Sequence, residues 1–73
     1  MMETKDFKVE GMACEHCVKA ITNAVGILAG IENITVNLNE KTVTVQFDPD
    51  QRAVEDIVAE IEDQGYDVID YNN

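Results

Sequence analysis

Seventy-three residues with no Trp and two Phe make one small domain, 1–73, cored by Ile, Val, Leu and Ala; such a chain buries only about 60% of its unfolded surface, leaving little room for the deep pocket of an enzyme. The net charge of −10 excludes a nucleic-acid binder, which needs basic phosphate contacts. No apolar run approaches the ~18 residues of a membrane span, and no basic start followed by an apolar middle opens the chain as a leader, so membrane insertion is not expected.

From Thr4 to Glu10, Phe7 and Val9 alternate with Asp6, Lys8 and Glu10, the period-two pattern of a half-buried strand. The stretch Gly11-Met12-Ala13-Cys14-Glu15-His16-Cys17 follows. Val18, Ile21, Val25 and Leu28 then recur at helical spacing, with Ala20 and Ala24 beside them, predicting an amphipathic helix that ends near Gly30 and tolerates Gly26 at a cost of roughly 1 kcal/mol. Ile34, Val36 and Leu38 alternate in a second strand and Val43, Val45 and Phe47 in a third, with Asn39-Glu40 placed for a tight hairpin turn. Asp48-Pro49-Asp50 breaks the pattern, and Asp48 or Asp50 is the expected cap of a second helix whose buried face is Val54, Ile57, Val58 and Ile61. Gly65 stops that helix, and Tyr66 to Tyr71 reads as a last strand around Val68. The order β-α-β-β-α-β repeats strand–helix–strand, and its natural closed form is an α+β, ferredoxin-like sandwich: a four-stranded antiparallel sheet with two helices on one face.

Charge is spread unevenly. Residues 1–47 carry six acids and four bases, whereas residues 48–73 carry nine acids and Arg52 alone. The acidic second helix is either a solvated face or one half of a charge-matched docking surface.

Both cysteines and the sole histidine lie in the seven-residue stretch 11–17. Gly11 suits a sharp turn. Thiols at i and i+3 converge when the first sits in a loop and the second in the opening turn of a helix, where unpaired N–H groups and the positive end of the dipole favour thiolate. Four readings of the pair follow. Monovalent copper, Cu(I), is soft and accepts as few as two sulfurs. Structural zinc wants four ligands, and Cys14, His16 and Cys17 supply three at best. A thioredoxin-like dithiol lacks a Pro between the cysteines and a Trp before them. The fourth reading is two cysteines without a site. The residues by themselves rank metal binding first, in a compartment, the cytoplasm, where close cysteines are more often a metal or redox pair than a structural disulfide.

The stretch Gly-Met-Ala-Cys-Glu-His-Cys between a short strand and an apolar helix resembles the signature of the heavy-metal-associated domain family. The resemblance spans nearly the whole chain, including the element order and Gln64-Gly65-Tyr66-Asp67-Val68; Ala13 stands where the family often has Thr or Ser. Val18-Lys19-Ala20 and the size of the chain are similar to the bacterial cytosolic copper chaperones of the CopZ type. The resemblance implies a cytoplasmic carrier, not an enzyme, holding Cu(I) on Cys14 and Cys17. It would deliver the ion to the metal-binding domain of a copper-exporting P-type ATPase, and in some organisms to a copper-responsive repressor. Alternatives are a thiol–disulfide redox protein, a carrier of mercury, zinc or cadmium, or a module of a longer ATPase. Cys14 is expected to be the more exposed sulfur and Cys17 the anchor. Met12 is expected as an apolar plug under the loop and His16 as a solvated loop residue, with tuning of the site as its alternative. The resemblance sets the loop of Tyr66 beside the cysteines. The apo chain is expected to be a monomer, with a copper-bridged dimer as a further possibility.

Overall fold

The computed structural model describes residues 1–12 and 15–72. Its elements are β1 (Glu3–Glu10), α1 (Glu15–Gly26), β2 (Ile31–Asn37), β3 (Thr42–Phe47), α2 (Val54–Asp63) and β4 (Asp67–Asn72). The strands form one open sheet in the order β2-β3-β1-β4 with every neighbouring pair antiparallel. Each strand–helix–strand half straddles a strand of the other half, so the two halves interlock, and both helices cover one face. This is the ferredoxin-like sandwich expected from the element order.

The core follows from two periodicities. Phe7 and Val9 of β1 and Val43, Val45 and Phe47 of β3 point to the helices and are no more than 1% exposed. Ile21 and Val25 of α1 and Ile57 and Ile61 of α2, each pair four residues apart, meet them at 0% exposure. Each of these large side chains contributes roughly 1.5–3 kcal/mol by leaving water. Ile34 and Val36 of β2, Val68 of β4 and Val54 and Val58 of α2 pack half-buried around this centre. The opposite sheet face carries Asp6, Lys8, Thr44 and Gln46, with the Thr44 hydroxyl donating to Asp6 Oδ1 at 2.7 Å.

Three local expectations are corrected. The first helix ends at Gly26 and not near Gly30; Gly26 is a poor helix former, and the chain leaves by a turn in which Val25 O accepts from Leu28 N–H at 3.1 Å. Leu28 therefore follows the helix. Residues 38–41 make a four-residue connection in place of a tight turn at Asn39-Glu40. Lys41 adopts a φ of 56°, Asn37 Oδ1 accepts the Glu40 N–H at 3.1 Å, and Leu38 falls just past β2. The cap of α2 is neither Asp48 nor Asp50 but Ala53, whose N–H donates to Asp56 Oδ2 at 3.3 Å. Asp48 instead closes its own turn: its carboxylate accepts Asp50 N–H at 3.0 Å and Gln51 Nε2 at 2.9 Å. Arg52, just before α2, ties to the turn after α1 by donating from Nε to Ala29 O at 3.0 Å.

Candidate metal site

Gly11 leaves β1 with a φ of +99°, a left-handed conformation in which a Cβ would be strained. The turn sends Met12 back into the core, where it is 7% exposed. Ala13 and Cys14 lie outside the described residues, so the expected exposure of Cys14 does too. α1 then begins at Glu15. Cys17 is its third residue and lies one and two turns ahead of Ile21 and Val25 on the same buried stripe. That position explains its 8% exposure: the helix that fills the core carries Cys17 on its inner face.

The sulfur of Cys17 thus sits in the first turn, where backbone N–H groups lack intrahelical acceptors and the dipole favours negative charge. His16, expected in a loop, belongs instead to this first turn, on its exposed side. Tyr66, half-buried after α2, is brought to the loop: its Cδ1 lies 3.3 Å from where a Cβ on Gly11 would stand. The connection between α2 and β4 thereby flanks the exit from β1, which lies just upstream of the cysteine motif. Among the described residues, no group of three or more His, Cys, Asp or Glu side chains is placed to hold a metal.

Two features of this end of the molecule were not legible in sequence. Lys41 O accepts the Val9 N–H at 2.9 Å, and Lys41 Nζ stands 3.6 Å from Glu10 Oε2, so the hairpin between β2 and β3 braces the last residues of β1. A Lys in the left-handed region leaves no mark in a sequence pattern. The second is a shallow groove of about 550 Å³ between the start of α1 and the edge of β2, lined by Glu15, Val18, Lys19, Val36, Leu38 and neighbouring polar residues. The alternation of Val36 and Leu38 was visible in the sequence; that they line a groove with residues of α1 depends on how that helix packs on β2.

Comparison with known proteins decides what this frame is. The family model of the heavy-metal-associated domain matches residues 6–67. The chain belongs to this family. As a member, it is 54% identical over 67 residues to the copper chaperone CopZ of Bacillus subtilis (strain 168), an alignment covering 92% of this chain and 97% of that one. A solved CopZ metallochaperone superposes with a TM-score of 0.90 at 40% identity, covering 92% of this chain and 100% of the other. The N-terminal domain of a potential copper-translocating P-type ATPase from Bacillus subtilis, solved in its Cu(I)-loaded state, has a TM-score of 0.89 at 29% identity over 100% of this chain and 94% of that domain. The heavy-metal-associated fold is thus shared by free chaperones and by domains of transport ATPases. No helix among the described residues is long and apolar enough to cross a membrane.

Proposed function

We propose that this protein is a cytoplasmic copper carrier: it holds Cu(I) on Cys14 and Cys17 and passes it by thiolate exchange to the metal-binding domain of a copper-exporting P-type ATPase. The observation that carries the reading is Cys17, 8% exposed in the opening turn of α1 and three residues after the other cysteine, in a family member 54% identical to a copper chaperone. Two thiolates suit a soft monovalent ion that accepts low coordination. A structural zinc site wants four ligands, two more than the cysteine pair supplies.

In this reading both thiols give up their protons as the ion binds, so apparent affinity rises with pH until both are ionised. The α1 N-terminus stabilises the resulting anionic bis-thiolate. An ATPase domain of the same fold, like the Cu(I)-loaded one it resembles, presents its own thiolate to the ion. A new sulfur–copper bond forms, one bond to Cys14 or Cys17 breaks, and the released thiolate takes up a proton. A second exchange completes the transfer. No bond within an organic substrate is made or broken, which makes the protein a carrier and not an enzyme. Cys17, anchored on the buried stripe, is the sulfur that changes position least.

The test is an anaerobic titration of the fully reduced protein with Cu(I) against a competing chelator, with Zn(II) in parallel. One Cu(I) per chain, held far more tightly than zinc and lost in both Cys14→Ser and Cys17→Ser, is the expected result. Retention of tight Cu(I) binding in both variants would overturn the reading.

A further inference from the structure

We infer that Lys41, in the hairpin between β2 and β3, is a positioning residue for the cysteine motif: its left-handed backbone fixes the end of β1 and so sets how firmly Cys17 is closed in. The expected effect on ion binding rests on the function proposed above, whereas the effect on the thiol does not. Lys41 lies 24 residues after Cys17 in the chain, and the fold alone brings its hairpin to this end of the molecule.

The motif at residues 11–17 is bracketed by this one hairpin. Upstream of it, the last β1–β3 pair is Lys8 with Thr42, the residue at which β3 begins. The ladder nevertheless gains one more link, because Lys41 O accepts the Val9 N–H at 2.9 Å. Val9 is 0% exposed and stands two residues before Gly11. On the other flank of β1, Val9 and Glu10 pair with Val68 and Asp67 of β4, so the strand is held from both sides up to the turn at Gly11. Downstream of the motif, Leu38 and Asn39 of the same hairpin line the groove whose other wall is Glu15, Val18 and Lys19 of α1. Leu38 also packs, half-buried, against the core cluster that holds Met12 and Cys17.

Backbone conformation, and not charge, is what the link requires. Among the described residues Lys41 is the one non-glycine with a positive φ, 56°, a region unfavourable for an L side chain. The hairpin selects it through three hydrogen bonds. Lys41 N–H donates to Leu38 O at 3.3 Å, the Thr42 hydroxyl to Glu40 O at 3.0 Å, and Glu40 N–H to Asn37 Oδ1 at 3.1 Å. A strained residue persists only where its surroundings over-determine it. The ion pair of Lys41 with Glu10, 3.6 Å apart with both side chains about half exposed, is of the kind that contributes little. Loss of the left-handed conformation would turn the Lys41 carbonyl from Val9. The end of β1 would then lose its partner on the β3 side immediately before Gly11, and Met12 and Cys17 would lose the fixed wall that Val9 gives them in the core.

The experiment follows alkylation of Cys17 by iodoacetamide in the reduced, metal-free Cys14→Ser chain, and Cu(I) affinity in the chain with both cysteines. Cys17 is 8% exposed, so the reagent reaches it through local opening. Lys41→Val disfavours the left-handed region and should speed alkylation and weaken Cu(I) binding, each by roughly three- to tenfold; Lys41→Thr gives the same test where Val prevents folding. Lys41→Gly and Lys41→Gln should both stay within about twofold of the parent, since glycine adopts the conformation freely and Gln removes only the charge. Gly30→Ala lies at the opposite end of the sheet, next to the Ile31–Phe47 pair. It destabilises the chain without touching this hairpin and should leave alkylation within about twofold. Alkylation of the β-branched variant no faster than the parent, or equal acceleration in Gly30→Ala or Lys41→Gln, would overturn the inference. The alkylation comparison needs no metal, so failure of the proposed function shows separately, as a parent chain that takes up no Cu(I).

Discussion

Gly30 is the residue on which the junction between α1 and β2 depends. Its φ of +89° is unfavourable for a side chain, and a Cβ there would stand 2.8 Å from Gln51 Cβ, in the turn that Asp48 closes. Gly30→Ala should therefore cost about 2–3 kcal/mol and lower the thermal midpoint accordingly. Gly26→Ala is the contrasting case. The new methyl would make an ordinary contact with Ile34 Cδ1 at 3.7 Å at a helical position, so thermal unfolding should find it neutral or stabilised by up to about 1 kcal/mol. Asp48 offers a pH test. The Gln51 side chain and then the Asp50 N–H, both donating to its carboxylate, hold its pKa below the ordinary 3.8. A depressed folded-state pKa gives stability that is present above the unfolded value and lost as pH falls through the folded one. Asp48→Ala should thus be less stable than the parent at neutral pH, with the gap closing below about pH 3.8, as read from denaturant midpoints across the acid range.

At the scale of the element, the two helices are built differently at the ends that face the site. α1 opens with Glu15 in its first turn, which agrees with the dipole, and carries Cys17 where a thiolate is favoured. α2 closes against its dipole: its last turn holds Glu62 and Asp63 and no base. Glu62→Lys should stabilise the fold by about 0.3–1 kcal/mol at low ionic strength, an effect that should shrink in salt. The prediction is checked by comparing thermal midpoints in dilute and concentrated NaCl. If the gain is absent even in dilute buffer, the acidic turn is compensated by a feature other than the dipole.

For the whole molecule, the charge of −10 is a distributed load on a small core. Screening it should raise the denaturant midpoint as NaCl increases toward a few tenths molar, since the Debye length falls to ~10 Å at 0.1 M. Under the proposed function the same charge has a second reading. If the acidic half of the chain steers it to a basic partner, copper transfer in stopped flow should slow markedly with the salt that stabilises the fold. Salt-independent transfer, with stability still rising, would leave the acidic residues as solvation alone. The two measurements separate an intramolecular effect of the charge from an intermolecular one.

The order of elements, the inward residues of β1 and β3, the buried stripes of both helices and the motif with its cysteines were legible along the chain. Each is a statement of period or spacing along the chain: Phe7 and Val9 alternate whatever they pack against, and Ile57 and Ile61 share a helix face before any partner is known. Element ends were less legible. Gly26 as a terminus, Ala53 as a cap and Lys41 with a positive φ depend on contacts that reach across the fold, such as Arg52 to Ala29 O or Lys41 O to the Val9 N–H. It took the packed fold to show that Cys17 and Met12 share the core with Ile21, that Tyr66 lies against Gly11, and that β2 and β4 are the edges of the sheet. Adjacency between residues far apart in the chain is fixed by the joint burial of apolar faces, and no local pattern specifies which faces will meet.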